Sequence, residues 1–543
     1  MANYPLAALG LLLTFVVFYI VSSITTRLRH ARKAKEWGCQ PAVKRKSKLP
    51  WGIDLVWDIL QADREQIVPD FFFQTYKKMG VPTWSQNIFG SEVYMTTDPK
   101  NIQAVLATQF NDFEIGEQRR GNFFPIFGNG IFTADGKAWE HSRTMLRPQF
   151  VRQQVADLNL EEIHVQDMFH HLTAKNGWTD VVDLVPLFFR LTLDSATEFL
   201  FGQSVNSQLA ALPGYTDEKA RQAGNLDWTL FGPAFDGATM AVGTRGRLAD
   251  LYWLYSPKHF RDNIKIVHQF ADYYVNLALT TDLSSLSEHP GEKGQKREKY
   301  IFLKELVQAT RDPVELRSQL LNILLAGRDT TAGLLGWTFF HLARRPDLFK
   351  KLRDTVIDQF GTYEDPKDIS FESLKGCTYL QHMMNEVLRH NATVPINSRR
   401  ATKDTTIPRG GGPDGTSPLF VLKGQEVNYT VHVMHLREDI WGPDAAEFKP
   451  ERWAGRKPGW EFLPFNGGPR ICLGQQFALT EAGYVIVRLL QKFDVLENHE
   501  TDPITRHQYS VTTAPTRVPL RLHEAAATAA TAATTTRTAA AAH

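Results

Sequence analysis

The chain has 543 residues, enough for one large core or for two to four ordinary domains. Hydrophobic residues make up 43% and charged residues 22%, a globular composition, and a formal net charge of +2 gives no whole-chain field suited to nucleic acid. Three cysteines, Cys39, Cys377 and Cys472, cannot build a disulfide framework, which fits a reducing compartment and a thiol kept for its chemistry.

The first predicted element is Leu6–Ile24, 19 residues without a charge, long enough to cross a bilayer as a helix. A cleavable signal would carry basic residues before its apolar run. Here they follow it, at Arg27, Arg29, Arg32, Lys33 and Lys35. That order predicts a single transmembrane anchor over 1–25, a basic linker over 26–50 lying on the membrane surface, and a body in the cytosol. From Trp51 to His523 no glycine-, serine- or proline-rich break interrupts the chain, so 51–523 reads as one catalytic unit. Residues 282–299 read as a solvated loop between helices, and the Ala/Thr-rich residues 524–543 as a disordered tail. There is no internal repeat.

Helical patterning dominates the middle of the chain. Trp139 and Arg143 stand four apart, the spacing of a stacked helical pair. A long helix is predicted from Asp312, an N-cap, through Pro313 at its first position and Glu315 as the capping-box partner, to Arg344 before Pro346. Its centre, LLNILLAGRDTTAGLLGWTFF, is apolar almost all round and predicts burial in the middle of the protein. Glu386 and Arg389, three apart, share one face of another helix. LFVLKG at 419–424 and VNYTVHVM at 427–434 read as strands, giving a mainly α fold with small sheets.

Three motifs are decoys. Gly410-x-Gly412-x-x-Gly415 contains Pro413 and opens no helix, so it is a loop and not a dinucleotide site. His432 and His435 lie in strand-like sequence, where residues three apart point to opposite faces. The sequons at Asn391 and Asn428 would go unused in a cytosolic body.

The stretch FNGGPRICLG, 465–474, sets one cysteine among glycines. It offers no second cysteine or histidine for zinc. A lone axial thiolate on haem iron needs one side chain, glycines that admit a flat ring, N–H groups near the sulfur and a following helix. Phe465, Gly468, Arg470, Cys472 and Gly474 match the F-x-x-G-x-R-x-C-x-G signature, and on these residues the chain resembles the cytochromes P-450, the haem-thiolate monooxygenases. The resemblance covers roughly residues 50–520.

It implies haem b, with Cys472 as iron ligand, Phe465 shielding the sulfur, and Trp139, Arg143, Arg399 and Arg470 at the haem propionates. Gly467, Gly468 and Gly474 would clear space for the porphyrin. Ala326-Gly327-Arg328-Asp329-Thr330-Thr331 resembles the family's distal A-G-x-D-T-T, with Thr330 supporting protonation of bound dioxygen and Asp329 relaying protons. There, glycine and hydroxyl groups would open the helix ladder to water. Glu386, Arg389 and Arg452 would form a structural ion network. With no flavin or nicotinamide site in the chain, the resemblance implies electrons from a membrane-bound NADPH–cytochrome P-450 reductase, with Lys137, Arg147 and Lys492 available for docking, and the endoplasmic reticulum as location.

Whole phrases, GIFTADGKAWEHSRTMLRPQF (130–150), LLAGRDTTAG (324–333) and GGGPDGTSPLFVLKGQEV (410–427), resemble the fungal alkane-assimilating members, which hydroxylate n-alkanes and fatty acids at or near the terminal methyl. An apolar long-chain substrate is then expected against Phe123, Phe127, Ala326, Val394 and Ile396. Ala326 stands where many animal fatty-acid ω-hydroxylases have a haem-esterifying glutamate, so non-covalent haem is expected. Thr330 argues against a haem-thiolate isomerase. A monooxygenase of sterols or fungal secondary metabolites is the alternative that these motifs leave open.

Overall fold

The computed structural model describes residues 4–150, 158–215, 227–280, 288–289, 297–298 and 301–526. Most of the expected 282–299 loop and nearly all of the 524–543 tail lie outside the described residues. The first helix, α1 (Tyr4–Glu36), spans 33 residues, or ~50 Å at 1.5 Å per residue. Its apolar side chains from Leu11 to Ile24 are exposed, so they are not covered by the described residues. It is long and apolar enough to cross a membrane.

The expected linker over 26–50 takes a different form. Residues 26–36 continue α1, because Arg, Lys, Ala and Glu in this stretch are all good helix formers. The chain beyond is then tied down. Lys33 pairs with Asp404 at 3.0 Å, Trp37 packs on Phe420 with ring centroids 5.4 Å apart, and the Gln40 N–H donates to Pro418 O.

The other main helices are α2 (Gly116–Phe127), α3 (Gly136–Leu146), α4 (Leu184–Phe201), α5 (Phe231–Arg247), α6 (Lys258–Thr280), α7 (Pro313–Arg344), α8 (Thr378–His390) and α9 (Gln475–Lys492). The expectation for α7 holds at both ends, with Asp312 Oδ1 accepting the Val314 N–H at 2.9 Å and Pro313 in the first turn. The capping box does not close. Glu315 instead accepts from Thr310 Oγ1 and meets His141 Nε2, because those partners reach it from outside the helix. Side chains are buried almost all round the helix, against α4, α6, α9 and the strand Thr513–Pro515. Gly333 and Gly336 permit that strand's approach: a Cβ at Gly333 would stand 2.6 Å from Thr513 O, and one at Gly336 would stand 3.0 Å from the Pro515 ring.

The strands that matter for the site are β1 (Thr83–Ile88), β2 (Ser91–Thr96), β3 (Ile396–Ala401), β4 (Thr405–Gly411), β5 (Ser417–Val421) and β6 (Glu426–Thr430). A six-stranded sheet runs Val43–Lys44, β1, β2, β6, β3, Phe113–Glu114. β3 lies antiparallel to β6 with Arg399 opposite Val427, and that register carries Arg399 into the interior. β4 and β5 form the hairpin that receives the end of α1. Gly410 lies at the end of β4, Gly412 and Gly415 lie in the turn to β5, and all three have positive φ, so the literal G-x-G-x-x-G opens no helix, as expected.

VNYTVHVM divides. Its first four residues lie in β6, but Val431–His435 is a one-turn helix begun by Thr430, whose Oγ1 accepts the Val433 N–H. Position 430 turns the chain, and β-propensity yields to that cap. His432 and His435 therefore share a face, yet no group of three metal-ligating side chains forms among the described residues. His435 Nε2 accepts the Leu463 N–H at 3.0 Å. Asn391 is buried, with its Oδ1 accepting from His341 Nε2 at 2.7 Å, which removes that sequon whatever the compartment.

Burial depresses His432 and His435 to about 3, so both are neutral in the folded state. An unfolded histidine titrates at about 6.5. The stabilisation from keeping these rings neutral is therefore complete above that value and is lost as pH falls from about 6.5 toward 3. Melting temperature is expected to drop across this window, and His435→Gln to flatten the dependence by about one proton in a denaturant series run at several pH values.

Candidate active site

The 465–474 loop is held by its own backbone and by α3. The Cys472 N–H donates to Phe465 O at 3.0 Å, and Arg143 Nη1 donates to Ile471 O at 3.0 Å. Trp139 of α3 is buried and carries guanidinium groups near its ring, Arg470 at 4.4 Å and Arg143 at 5.8 Å. The sulfur of Cys472 opens into a cavity whose opposite wall is α7, at Ala326, Gly327 and Thr330. Burial pushes the Cys472 thiol up, opposed by the Gly474 N–H and by Arg143.

The glycines divide in purpose. Gly468 has φ +69, and a Cβ there would meet Leu106 O at 2.0 Å. At Gly467 it would meet the Trp460 ring at 2.8 Å. Both are therefore required by the protein's own packing and not by a ring in the cavity. Only Gly474 lines the cavity, where a Cβ would find nothing nearer than Phe150 at 3.7 Å. Phe465 also lines it.

Arg399 and Arg470 reach the same cavity, as expected. Arg399 Nη1 donates to Ser398 O, and Arg470 Nη2 to Asp135 Oδ1 at 2.6 Å. A further guanidinium joins them that sequence reading missed, Arg119 of α2. Its Nη1 donates to Asn397 Oδ1 at 2.7 Å, and its buried Nε has no partner. The only signal in the sequence was the Arg119-Arg120 pair in a helix otherwise rich in phenylalanine. Burial, and then repulsion by Arg399, lower Arg119 to about 10; the same two causes lower Arg470 to about 10.

Other expected residues are placed differently. Phe123, Ala326 and Val394 line the cavity, but Phe127 is fully buried against Phe123 and Phe235. Ile396 lines an adjoining outer cavity, which shares Arg119, Phe123, Val394, Asn397 and Val511 with the first. Thr330 faces the site, but Asp329, one residue earlier on the helix, points into the protein against Arg328. α7 stays helical through this stretch. The Thr330 hydroxyl donates to Ala326 O at 2.7 Å, so the ladder is not opened, because the hydroxyl back-bonds without displacing the turn.

Glu386, Arg389 and Arg452 lie outside the cavity and form the expected network. Arg389 grips Glu386 through two 2.8 Å bonds, and Arg452 Nε reaches Glu386 Oε1 at 3.5 Å. Lys492 is not free for docking. It pairs with Glu524 at 3.0 Å, whereas Lys137 and Arg147 are exposed.

A family model described as cytochrome P450 matches residues 48–520. This chain belongs to the cytochromes P-450. Among curated relatives, cytochrome P450 monooxygenase g430 of Fusarium sp is 52% identical over 508 residues, covering 93% of this chain and 88% of the relative. Cytochrome P450 52A12 of Debaryomyces hansenii is 46% identical over 507 residues, 92% and 94% of the two chains. Cytochrome P450 52A5 of Candida maltosa is 49% identical over 454 residues, 82% and 84%. The chain is therefore a haem-dependent monooxygenase that takes electrons from a redox partner.

The cavity fits the P-450 haem. Its cationic wall, Arg119, Arg143, Arg399 and Arg470, has no carboxylate among the described lining residues, with Asp135 pairing Arg470 from outside it, so it lacks anions that two propionates supply, and the orphaned Arg119 Nε–H is a donor without an acceptor. The Cys472 sulfur and the bare Gly474 suit the face of a flat ring.

Proposed function

We propose that this P-450 hydroxylates n-alkanes or fatty acids at or near the terminal methyl, drawing electrons from NADPH–cytochrome P-450 reductase. In this reading it is anchored by residues 1–25 in the endoplasmic reticulum membrane as a single span, with the body, 51–523, facing the cytosol. The observation that carries the reading is a mainly apolar cavity at Cys472 that adjoins an outer cavity of mixed lining. Val56, Ile59, Val68 and Phe72 give the outer cavity an apolar side, facing polar groups such as Gln86, Arg119 and Glu426, and Phe123 and Val394 are shared with the inner cavity, which Ala326 and Cys472 also line. An extended chain suits this shape, and its end would meet α7. The similarity to the 52A relatives supports the same conclusion.

Haem bound there supplies dioxygen activation and oxygen insertion into a C–H bond, with Cys472 as ligand and Arg119, Arg143, Arg399 and Arg470 holding the propionates. The protein's further part is positioning, since a terminal C–H bond is stronger than its neighbours and reacts only if it alone reaches the centre. Thr330, on the cavity wall, holds at the site a hydroxyl whose proton rests on Ala326 O and would turn to the site during turnover, and Asp329 would feed protons from the interior. Thr330→Ala is expected to lower product formed per NADPH by about tenfold or more, with hydrogen peroxide appearing instead and Thr330→Ser largely restoring coupling.

The substrate class is tested by adding n-alkanes, fatty acids, a sterol and an aromatic polyketide to the purified holoenzyme and following the haem spectrum as bound water is displaced. Saturable changes with the alkyl chains alone support the proposal. A response to the sterol or polyketide alone would replace it with the secondary-metabolite reading.

A further inference from the structure

Asp329 is held by a cation that it shares. Arg328 Nη1 donates to Asp329 Oδ1 at 3.0 Å and also to Asp236 Oδ1 on α5. The side chains of Arg328 and Asp329 are 3% and 4% exposed, whereas that of Asp236 is 50% exposed. The guanidinium is packed over Phe189 of α4 at 5.1 Å and Phe235 of α5 at 5.6 Å, so it is confined between the two carboxylates. Arg328 and Asp236 are the charged groups that act on Asp329; α4 presents the Phe189 ring there.

One buried cation between two carboxylates leaves an excess negative charge. Burial of such a charge is relieved by holding a proton, and the buried carboxylate is the one that gains most from it. Burial pushes Asp329 up to about 6, with Arg328 opposing and Asp236 adding to the rise.

We propose that Asp236 is a positioning residue that, through the shared Arg328 guanidinium, keeps Asp329 able to hold and release a proton during turnover. The inference rests on reading Asp329 as the proton relay. The half-exposed Asp236 draws part of the Arg328 charge outward, and without it Arg328 would serve Asp329 alone and fix it as a carboxylate. Later turns of α5, at Val242 and Gly246, line the outer cavity, so the helix that borders the substrate passage also carries this lever.

The test uses the full-length holoenzyme and Asp236→Asn, Asp236→Glu and Asp329→Asn. The protonated-carboxyl stretch of Asp329, identified by its loss in Asp329→Asn, is followed by infrared difference spectroscopy from about pH 4 to about pH 8. Removing the Asp236 charge lowers the pKa of Asp329, so its titration is expected to move down by about one pH unit, with Asp236→Glu returning it. Product formed per NADPH falls as a proton donor loses its proton, and this fall should move to lower pH by the same amount. An unmoved infrared titration in Asp236→Asn, or a wild-type Asp329 ionised across the whole range, would overturn the inference. If Asp329→Asn leaves coupling unchanged, the relay reading falls instead; the infrared shift judges the Asp236 link separately. Asp236 is half-exposed, so its asparagine variant is expected to fold.

Discussion

Cys472→Ser is expected to reduce turnover to below about 1% of wild type and to abolish the thiolate-type spectrum of the reduced carbon monoxide complex. The loop geometry explains why the effect should be confined to chemistry. Cys472 is fixed through its backbone N–H on Phe465 O, and the adjacent Ile471 carbonyl is held by Arg143. Serine keeps both contacts and matches the cysteine in shape, so the fold survives. What it loses is a soft, electron-rich thiolate, which a hydroxyl does not replace at neutral pH. Spectra and melting of the two proteins side by side check this. Equal stability with lost thiolate character is the expected pair of results.

Arg389→Ala is expected to have the largest effect on stability, about 3–5 kcal/mol, because it leaves Glu386 as a buried charge without its main partner. Arg389 is fully buried and donates to Glu386 twice, to His435 O, to Ala445 O and to Glu447 O. The loss therefore strands the His435 and Ala445 carbonyls as well as a carboxylate, while Glu447 O keeps Arg452 Nη2 at 3.4 Å. Glu386 still receives the Lys449 N–H at 2.8 Å and Trp453 Nε1 at 3.0 Å, but neither supplies a full positive charge. A domain is stable by about 5–15 kcal/mol, so a loss of this size removes much of the margin. The variant should accumulate little haem-containing protein at growth temperature. Arg452→Ala is expected to cost less, since its closest contact with Glu386 is 3.5 Å and its main ion pair is with the partly exposed Asp444 at 2.7 Å. Thermal unfolding and the fraction of haem incorporated measure both.

These elements differ in how far they could be read from residues alone. The Cys472 loop and the Glu386–Arg389 pair are local: spacing along a turn or a helix brings the groups together, and the long helix α7 announces its ends through Asp312, Pro313 and Pro346. What escaped the sequence is tertiary. The basic stretch after the apolar helix continues α1 and docks because a distant hairpin offers Asp404 and Phe420. Phe127 and Phe123 lie one helical turn apart in the same apolar run, yet only Phe123 reaches the cavity. Asp329 and Thr330 are neighbours in a motif, but one residue of helix turns them to different surroundings, and the partner of Arg328 comes from α5. Arg119 could not be ranked above Arg120 until β3 placed Asn397 and Arg399 beside it.

The most direct measurement is the identity of the products from a long n-alkane and a long-chain fatty acid, in membranes holding this P-450 with a fungal reductase, NADPH and dioxygen. Terminal alcohol or the derived acid is expected as the main product, absent from the Cys472→Ser protein. An intact thiolate-type carbon monoxide spectrum with both chains left untouched would contradict it.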